Sequence, residues 1–140
     1  MGKTNILVAG KTGVGKSTLI DSIFNKDLAL TGKGKFITQN IKEYSEEDYP
    51  VSIIDTMGLD SVNYKMVINN IKIYIEERRK SFNGNEHVHF AWVCIYDCGE
   101  PTLTSWYHND SSEKELIEML SKYIPVIVVL TKSLNNDNYL

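Results

Sequence analysis

The stretch GKTGVGKST, residues 10–18, holds three glycines, two lysines and a Ser-Thr pair, with almost nothing that could pack into a core. Gly10, Gly15, Lys16 and Ser17 satisfy the phosphate-loop pattern G-x-x-x-x-G-K-[ST]. Glycines let backbone N–H groups turn inward as an anion nest, because a side chain there would clash with a phosphate or need a positive φ. Lysine supplies a cation for the β- and γ-phosphates, and a serine hydroxyl suits Mg²⁺. These residues predict a site for a polyphosphate with Mg²⁺.

We refer to residues 10–18 as the P-loop and expect all of it to bind the nucleotide. A helix that begins at Lys16 would add its N-terminal dipole and its unpaired N–H groups. Lys16 is also predicted to offset negative charge in the transition state. The predicted nucleotide-binding residues here are Gly10, Lys11, Thr12, Gly13, Val14, Gly15, Lys16, Ser17 and Thr18.

A second motif, DTMG at 55–58, follows the short apolar segment VSIID. The carboxylate of Asp55 could hold a Mg²⁺-bound water, and Gly58 could offer its backbone N–H to a γ-phosphate. Taken alone, D-x-x-G also fits a simple turn from a strand into a loop. Its position after a phosphate loop and an apolar strand favours the catalytic interpretation.

The elements that must position these motifs follow from hydrophobic periodicity. The run NILVAG, residues 5–10, is typical of a central parallel strand that is buried on both faces. Strands are predicted at 5–10, 36–44, 51–55, 87–97 and 125–133, and helices at 16–26, at 64–80 and from Ser112 onward, where Ser112 and Glu115 predict a capping box. Strands that alternate with helices predict one α/β domain, a three-layer sandwich with a mainly parallel sheet. In such sheets, ligands bind beyond the carboxyl ends of the strands, where GKTGVGKS, DTMG and TKS all emerge.

Composition excludes several classes of protein. The chain has 140 residues and a net charge of −3, so its overall field repels phosphate backbones and gives no reason to expect a nucleic-acid partner. The N-terminal apolar run of six residues is too short for a signal peptide, and no stretch approaches the roughly 18 apolar residues of a membrane span. We expect a cytoplasmic protein with no membrane segment in this chain.

These motifs together resemble the G domains of GTPases related to translation factors. GKTGVGKS is similar to their phosphate loop, DTMG to their second switch, and VVLTKS to the start of their base-recognition loop. GKTGVGKST followed by DTMGL is most similar to Era/HSR1-like GTP-binding proteins and to the septin, immunity-associated and chloroplast import-receptor GTPases. The resemblance covers essentially the whole chain and implies the P-loop NTPase fold, a GTP or GDP ligand, Mg²⁺ and GTP hydrolysis.

The resemblance also implies site residues beyond the two motifs. Thr38 matches the first-switch threonine, which would complete the Mg²⁺ shell with Ser17 and Asp55, and Thr31 is the alternative. Thr131 and Lys132 match the beginning of the guanine-recognition loop.

Four departures from the family pattern limit these implications. Leu59 stands where Ras-like enzymes place a glutamine that orients water. Gly13 stands where potassium-activated relatives place an asparagine, and Leu134 replaces the aspartate that reads guanine. The fourth departure is length, since the G-domain fold ordinarily continues with another helix, a strand and a final helix. We therefore expect residues 1–140 to be a C-terminally incomplete G domain, with the strand at 125–133 as an apolar edge.

The sequence thus predicts a GTP-binding switch that hydrolyses GTP slowly. The septin-like resemblance implies activation by a homodimer formed through the nucleotide face. Two alternatives stay open at this point. The missing guanine-reading aspartate allows an ATP-specific P-loop enzyme, and Leu59 favours a non-catalytic, nucleotide-dependent assembly module.

Overall fold

The computed structural model describes residues 2–96 and 111–131. Its strands are β1 (Thr4–Gly10), β2 (Lys35–Thr38), β3 (Ile41–Ser45), β4 (Val51–Thr56), β5 (Phe90–Tyr96) and β6 (Val126–Thr131). Its helices are α1 (Lys16–Phe24), α2 (Tyr64–Arg79) and α3 (Ser111–Ser121). A short 3-10 turn, Gly84–Glu86, lies between α2 and β5. None of the helices in these ranges is both long enough and apolar enough to cross a bilayer.

The six strands form one sheet in the order β2-β3-β4-β1-β5-β6. β1 pairs in parallel with β4 on one side and with β5 on the other, and β5 pairs in parallel with β6. β3 runs antiparallel to both of its neighbours, β4 and β2. The prediction of a mainly parallel sheet is confirmed, and the carboxyl ends of β1, β4, β5 and β6 meet at one edge.

Helices cover both faces of this sheet, as predicted. Alternate residues of β1 face opposite sides, so Leu7 joins the cluster under α2 and α3, whereas Val8 joins the cluster under α1. Both of these side chains are completely buried. The continuous apolar run of β1 therefore reflects burial on two faces, and the P-loop emerges from the most enclosed strand of the domain.

Two local predictions differ from the structure. The predicted strand at 36–44 is a hairpin whose strands β2 and β3 are separated by residues 39–40. The Thr38 hydroxyl accepts a hydrogen bond from the Asn40 N–H at 3.1 Å, and this local bond supports the turn. α3 begins at Ser111, one residue before the predicted cap Ser112, and Glu115 of the predicted capping box forms an ion pair of 3.3 Å with Lys65 of α2.

The two edges of the sheet differ in character. β2 carries Lys35 and is only four residues long, which are features that protect an edge from further pairing. β6 is six residues long and pairs, within the described sheet, with β5 alone. Its side chains Ile127, Val128 and Leu130 are all exposed. The expected apolar edge strand is therefore confirmed.

Candidate nucleotide site

The P-loop connects the end of β1 to the first turn of α1. Gly13 has a φ of 78° and Gly15 a φ of 107°, a left-handed region that side chains other than glycine rarely adopt. Gly15 occupies the N-cap position of α1, which has no side-chain cap. The first N–H groups of the helix, at Lys16 to Thr18, therefore have no acceptor within the helix and remain available to an anion.

Contacts on the protein side hold this loop in place. The Val14 side chain is 6% exposed and packs in the cluster beneath α1. Its backbone N–H donates to the Lys11 carbonyl at 3.2 Å, and its carbonyl accepts from the Thr131 hydroxyl at 2.5 Å. Val14 therefore anchors the loop through its side chain and its carbonyl.

Asp55 is the acidic group of the site. It ends the apolar part of β4, directly beside Val8 of β1 in the parallel register. Its Oδ1 atom is buried and has no hydrogen-bond partner in the part of the chain that the structure describes. Burial raises the pKa of this carboxyl, while the ammonium groups of Lys16 and Lys42 act in the opposite direction. A buried carboxylate oxygen with an unmet acceptor is suited to a cation or to a water bound to one.

The oxygen donors available here fit Mg²⁺. Ser17 presents an exposed hydroxyl on the first turn of α1, and Asp55 presents the orphaned carboxylate oxygen. Mg²⁺ prefers hard oxygen ligands and is commonly bound by one or two protein oxygens together with waters and substrate phosphates. Ser17 and Asp55 are the residues that would hold the ion.

The DTMG motif continues past β4 and lies directly against the P-loop. The Leu59 N–H donates to the Gly10 carbonyl at 2.9 Å, and the Thr12 N–H donates to the Leu59 carbonyl at 3.0 Å. The Leu59 side chain is 1% exposed and belongs to the cluster under α2 and α3. It points into the core, so it is not placed to orient a water molecule at a phosphate.

The first-switch candidates lie in different surroundings. Thr38 ends β2 and pairs with Ile41, which in turn pairs with Thr56 at the carboxyl end of β4. Thr38 is therefore at the same edge of the sheet as Asp55. Thr31 lies in the turn after α1, where its hydroxyl donates to the Asp27 carbonyl.

The base-recognition candidates are only partly described. The Thr131 hydroxyl contacts the Val14 carbonyl at 2.5 Å and the Ile95 carbonyl at 3.4 Å, so it is engaged by the protein. Lys132 and Leu134 lie outside the described residues.

Sequence reasoning missed two charged residues near the site. Lys42 is the cross-strand partner of Asp55 in the register of β3 and β4, and its charge opposes the rise in the pKa of that carboxyl that burial causes. Glu113, in the first turn of α3, is 4% exposed. Burial raises its pKa, and the Lys11 ammonium of the P-loop opposes this shift. No sequence signal marks either residue, since both depend on how distant segments pack.

Comparisons with known proteins bear directly on this site. The model of the family described as 50S ribosome-binding GTPase matches residues 5–132, a range that spans the P-loop, DTMG and Thr131. The chain belongs to this family of GTPases. Its Lys16, Asp55 and Gly58 therefore lie within the GTPase domain that the family shares.

Individual relatives of the chain agree with this assignment. It is 28% identical to Septin-14 of Mus musculus over 95% of this chain and 35% of that protein. It is 25% identical to GTPase Der of Clostridium kluyveri over 100% of this chain and 30% of that protein. The chain thus spans about a third of the length of these relatives.

The fold of the chain matches a solved structure as well. A probable GTP-binding protein engB aligns with a TM-score of 0.60 at 23% identity, over 89% of this chain and 68% of that chain. At this level of identity the match shows the fold, and it supports the P-loop GTPase architecture.

Proposed function

We propose that this GTPase binds Mg²⁺·GTP, hydrolyses it slowly by itself and acts as a nucleotide-dependent switch. The observation that carries the proposal is the orphaned Oδ1 of Asp55. Burial raises the pKa of this carboxyl, and Lys16 lies close enough for its charge to oppose that rise. A buried carboxylate oxygen without a partner among the described residues, close to a phosphate-loop lysine, can serve a cation that accompanies a polyphosphate.

Catalysis would depend on positioning and charge. Lys16 would lie along the β- and γ-phosphates, and the N–H groups of Gly13 and Gly15 would surround the β-phosphate. Bound Mg²⁺ would neutralise charge on the phosphate oxygens. Thr38 and the Gly58 N–H would contact the γ-phosphate and order their segments around it.

Slow hydrolysis follows from the position of Leu59. Its side chain is buried under α2 and α3, so it supplies no group that could orient the attacking water. We propose that a second copy of the chain completes the site through the nucleotide face. Similarity to Septin-14 supports this proposal, as does the absence of a water-orienting side chain at residue 59.

A competition experiment tests the nucleotide. GTP and ATP would be titrated against a fluorescent guanine nucleotide in the presence of Mg²⁺, and GTP is expected to displace it at lower concentration. Preference for ATP would contradict the assignment of the base. Recognition of guanine by Thr131 and Lys132 is part of this proposal.

Single-turnover hydrolysis at rising protein concentration tests the reaction. The rate constant is expected to rise with concentration, because dimers would form. Hydrolysis at the level of the uncatalysed reaction at every concentration would instead identify a nucleotide-dependent assembly module, which the burial of Leu59 favours as the second candidate.

A further inference from the structure

The segment after β4 docks onto the P-loop through its backbone. Leu59 forms a parallel bridge with Lys11, made by the two hydrogen bonds to Gly10 and Thr12. This bridge lies beyond the last regular pair of β1 and β4, Val8 with Asp55. The DTMG motif is therefore fastened to the P-loop by backbone hydrogen bonds that lie entirely within the protein.

Gly58 lies in van der Waals contact distance of Thr12. A Cβ atom added to Gly58 would lie 2.6 Å from the Thr12 Oγ1, 2.9 Å from its Cα and 3.0 Å from its N. Real Cβ atoms do not approach other atoms so closely, so only glycine permits this contact. Gly58 thus rests against both the side chain and the backbone of Thr12.

The Thr12 side chain lies at the protein surface, next to Gly58. Thr12 is exposed, whereas Leu59, the next residue after Gly58, is 1% exposed. The Thr12 hydroxyl lies 3.5 Å from the Leu59 carbonyl, too far for a strong hydrogen bond. Its contribution is therefore mainly the van der Waals contact with Gly58.

We propose that Thr12 is a positioning residue that holds Gly58 at the rim of the P-loop before any nucleotide binds. The inference rests on the proposed function, in which the Gly58 N–H contacts a γ-phosphate. A segment that is already ordered loses less conformational entropy on binding, so the protein binds a nucleotide that carries a γ-phosphate more tightly. A nucleoside diphosphate has no γ-phosphate to contact Gly58, so its affinity does not depend on this ordering. Thr12 thereby sets the ratio of triphosphate to diphosphate affinity.

Substitution of Thr12 tests the proposal through that ratio. In Thr12→Ala, the affinity for GTPγS is expected to fall about fivefold relative to the affinity for GDP. A loss of this size corresponds to the entropy cost of ordering about one additional residue when the nucleotide binds. Thr12→Val keeps the shape of the side chain, so the ratio of GTPγS to GDP affinity is expected to fall less in this variant than in Thr12→Ala. Thr4→Ala, at the far end of β1, is the matched control and is expected to change neither affinity.

Two outcomes would overturn the proposal. An equal loss of GTPγS and GDP affinity in Thr12→Ala would show that Thr12 only supports the fold of the loop. A gain in GTPγS affinity would show that the Thr12–Gly58 contact obstructs the γ-phosphate.

Failure of the proposed function would look different. If the unmodified chain prefers ATP, the same ratio is measured with ATPγS and ADP, and the inference on Thr12 is still tested. Amide exchange of the nucleotide-free protein gives a further readout. Thr12→Ala should accelerate exchange at Leu59 without affecting the amides of β5, and unchanged exchange at Leu59 would contradict the proposal whether or not the protein binds a nucleotide.

Discussion

The hydroxyl of Thr131 donates a hydrogen bond of 2.5 Å to the backbone carbonyl of Val14. This bond ties the last residue of β6 to the middle of the P-loop, across 117 positions of sequence. The Val14 side chain is buried, so both its packing in the core and the hydrogen bond from Thr131 hold the loop in place. A residue expected to recognise the base thus also supports the phosphate site.

Thr131→Val should destabilise the protein. Valine keeps the shape of threonine but removes the donor, which leaves the Val14 carbonyl without this partner and should lower the free energy of unfolding by about 1–3 kcal/mol. Urea denaturation measures the change. Thr131→Ser retains the hydroxyl and is the matched control, and equal stability of the valine variant and the unmodified chain would show that the bond contributes nothing.

Lys16→Ala should abolish nucleotide binding, because it removes the cation predicted to lie along the β- and γ-phosphates. Fluorescence titration with a labelled guanine nucleotide measures the loss. Lys72→Ala removes a lysine from an exposed position of α2 and should bind normally. Unaltered affinity in Lys16→Ala would refute the assignment of the phosphate site.

Asp55→Asn should weaken Mg²⁺-dependent nucleotide binding without lowering the stability of the nucleotide-free protein. Burial raises the pKa of Asp55 in the folded state, so the folded protein binds this proton more tightly than the unfolded chain does. The stability therefore falls as the pH rises from the ordinary pKa of an aspartate through the raised one, and the cost persists at neutral pH. Asparagine carries no charge, so the nucleotide-free variant should be at least as stable as the unmodified chain at pH 7.

The same variant should lose Mg²⁺-dependent nucleotide affinity by at least about tenfold, because an ionic oxygen ligand is replaced by an amide. In the unmodified chain, this affinity should decline on acidification at a higher pH than an ordinary aspartate would give. Thermal unfolding and Mg²⁺ titration provide the two measurements. Asp48→Asn changes an exposed aspartate and should alter neither, and destabilisation of Asp55→Asn at pH 7 would argue against a strained carboxylate.

Leu59→Gln should not create a Ras-like enzyme. The side chain at this position is buried, so the glutamine amide would lie in an apolar cluster and cost about 2–4 kcal/mol of stability. Leu59→Met should cost less than about 1.5 kcal/mol, because it conserves volume and polarity. Single-turnover rates and urea denaturation test this pair. Faster GTP hydrolysis in a fully stable glutamine variant would show that residue 59 reaches the nucleotide.

Cys94 should be almost inert towards thiol reagents in the native protein. Burial in β5 raises the pKa of its thiol to about 11, so little thiolate is present at pH 8. In a Cys98→Ser background, labelling of the native protein should be at least about a hundredfold slower than labelling of the urea-unfolded chain. Comparable rates before and after addition of urea would indicate that β5 opens readily.

Much of the fold could be predicted because its strongest signals are local. The apolar run of β1 and the glycine pattern after it sit within a few residues of each other, so the strand, the loop and the helix that follows could be placed together. The position of DTMG after β4 then followed from the general placement of ligands at the carboxyl ends of parallel strands.

The remaining features depend on partners that are distant in sequence. Glu115 could not be assigned to Lys65 because the two lie 50 residues apart and on different helices. The division of residues 36–44 into two strands depends on the register against β4, in which Ile41 pairs with Thr56. The docking of Leu59 on Gly10 depends on a bridge that local pattern does not reveal.

β1 lies between β4 and β5, whereas Thr38 lies at an edge of the sheet, so the two parts of the candidate site differ in how firmly the fold holds them. The amides of β1 are bonded to neighbours on both sides and shielded above and below, so they belong to the structure that opens last. Thr38, by contrast, ends β2, the outermost strand on its side of the described sheet, whose residues are largely exposed. A ligand would therefore be bound where the sheet is most enclosed and contacted by Thr38 where the sheet is most exposed. The contact with Thr38 could then form and break while the P-loop keeps the ligand bound.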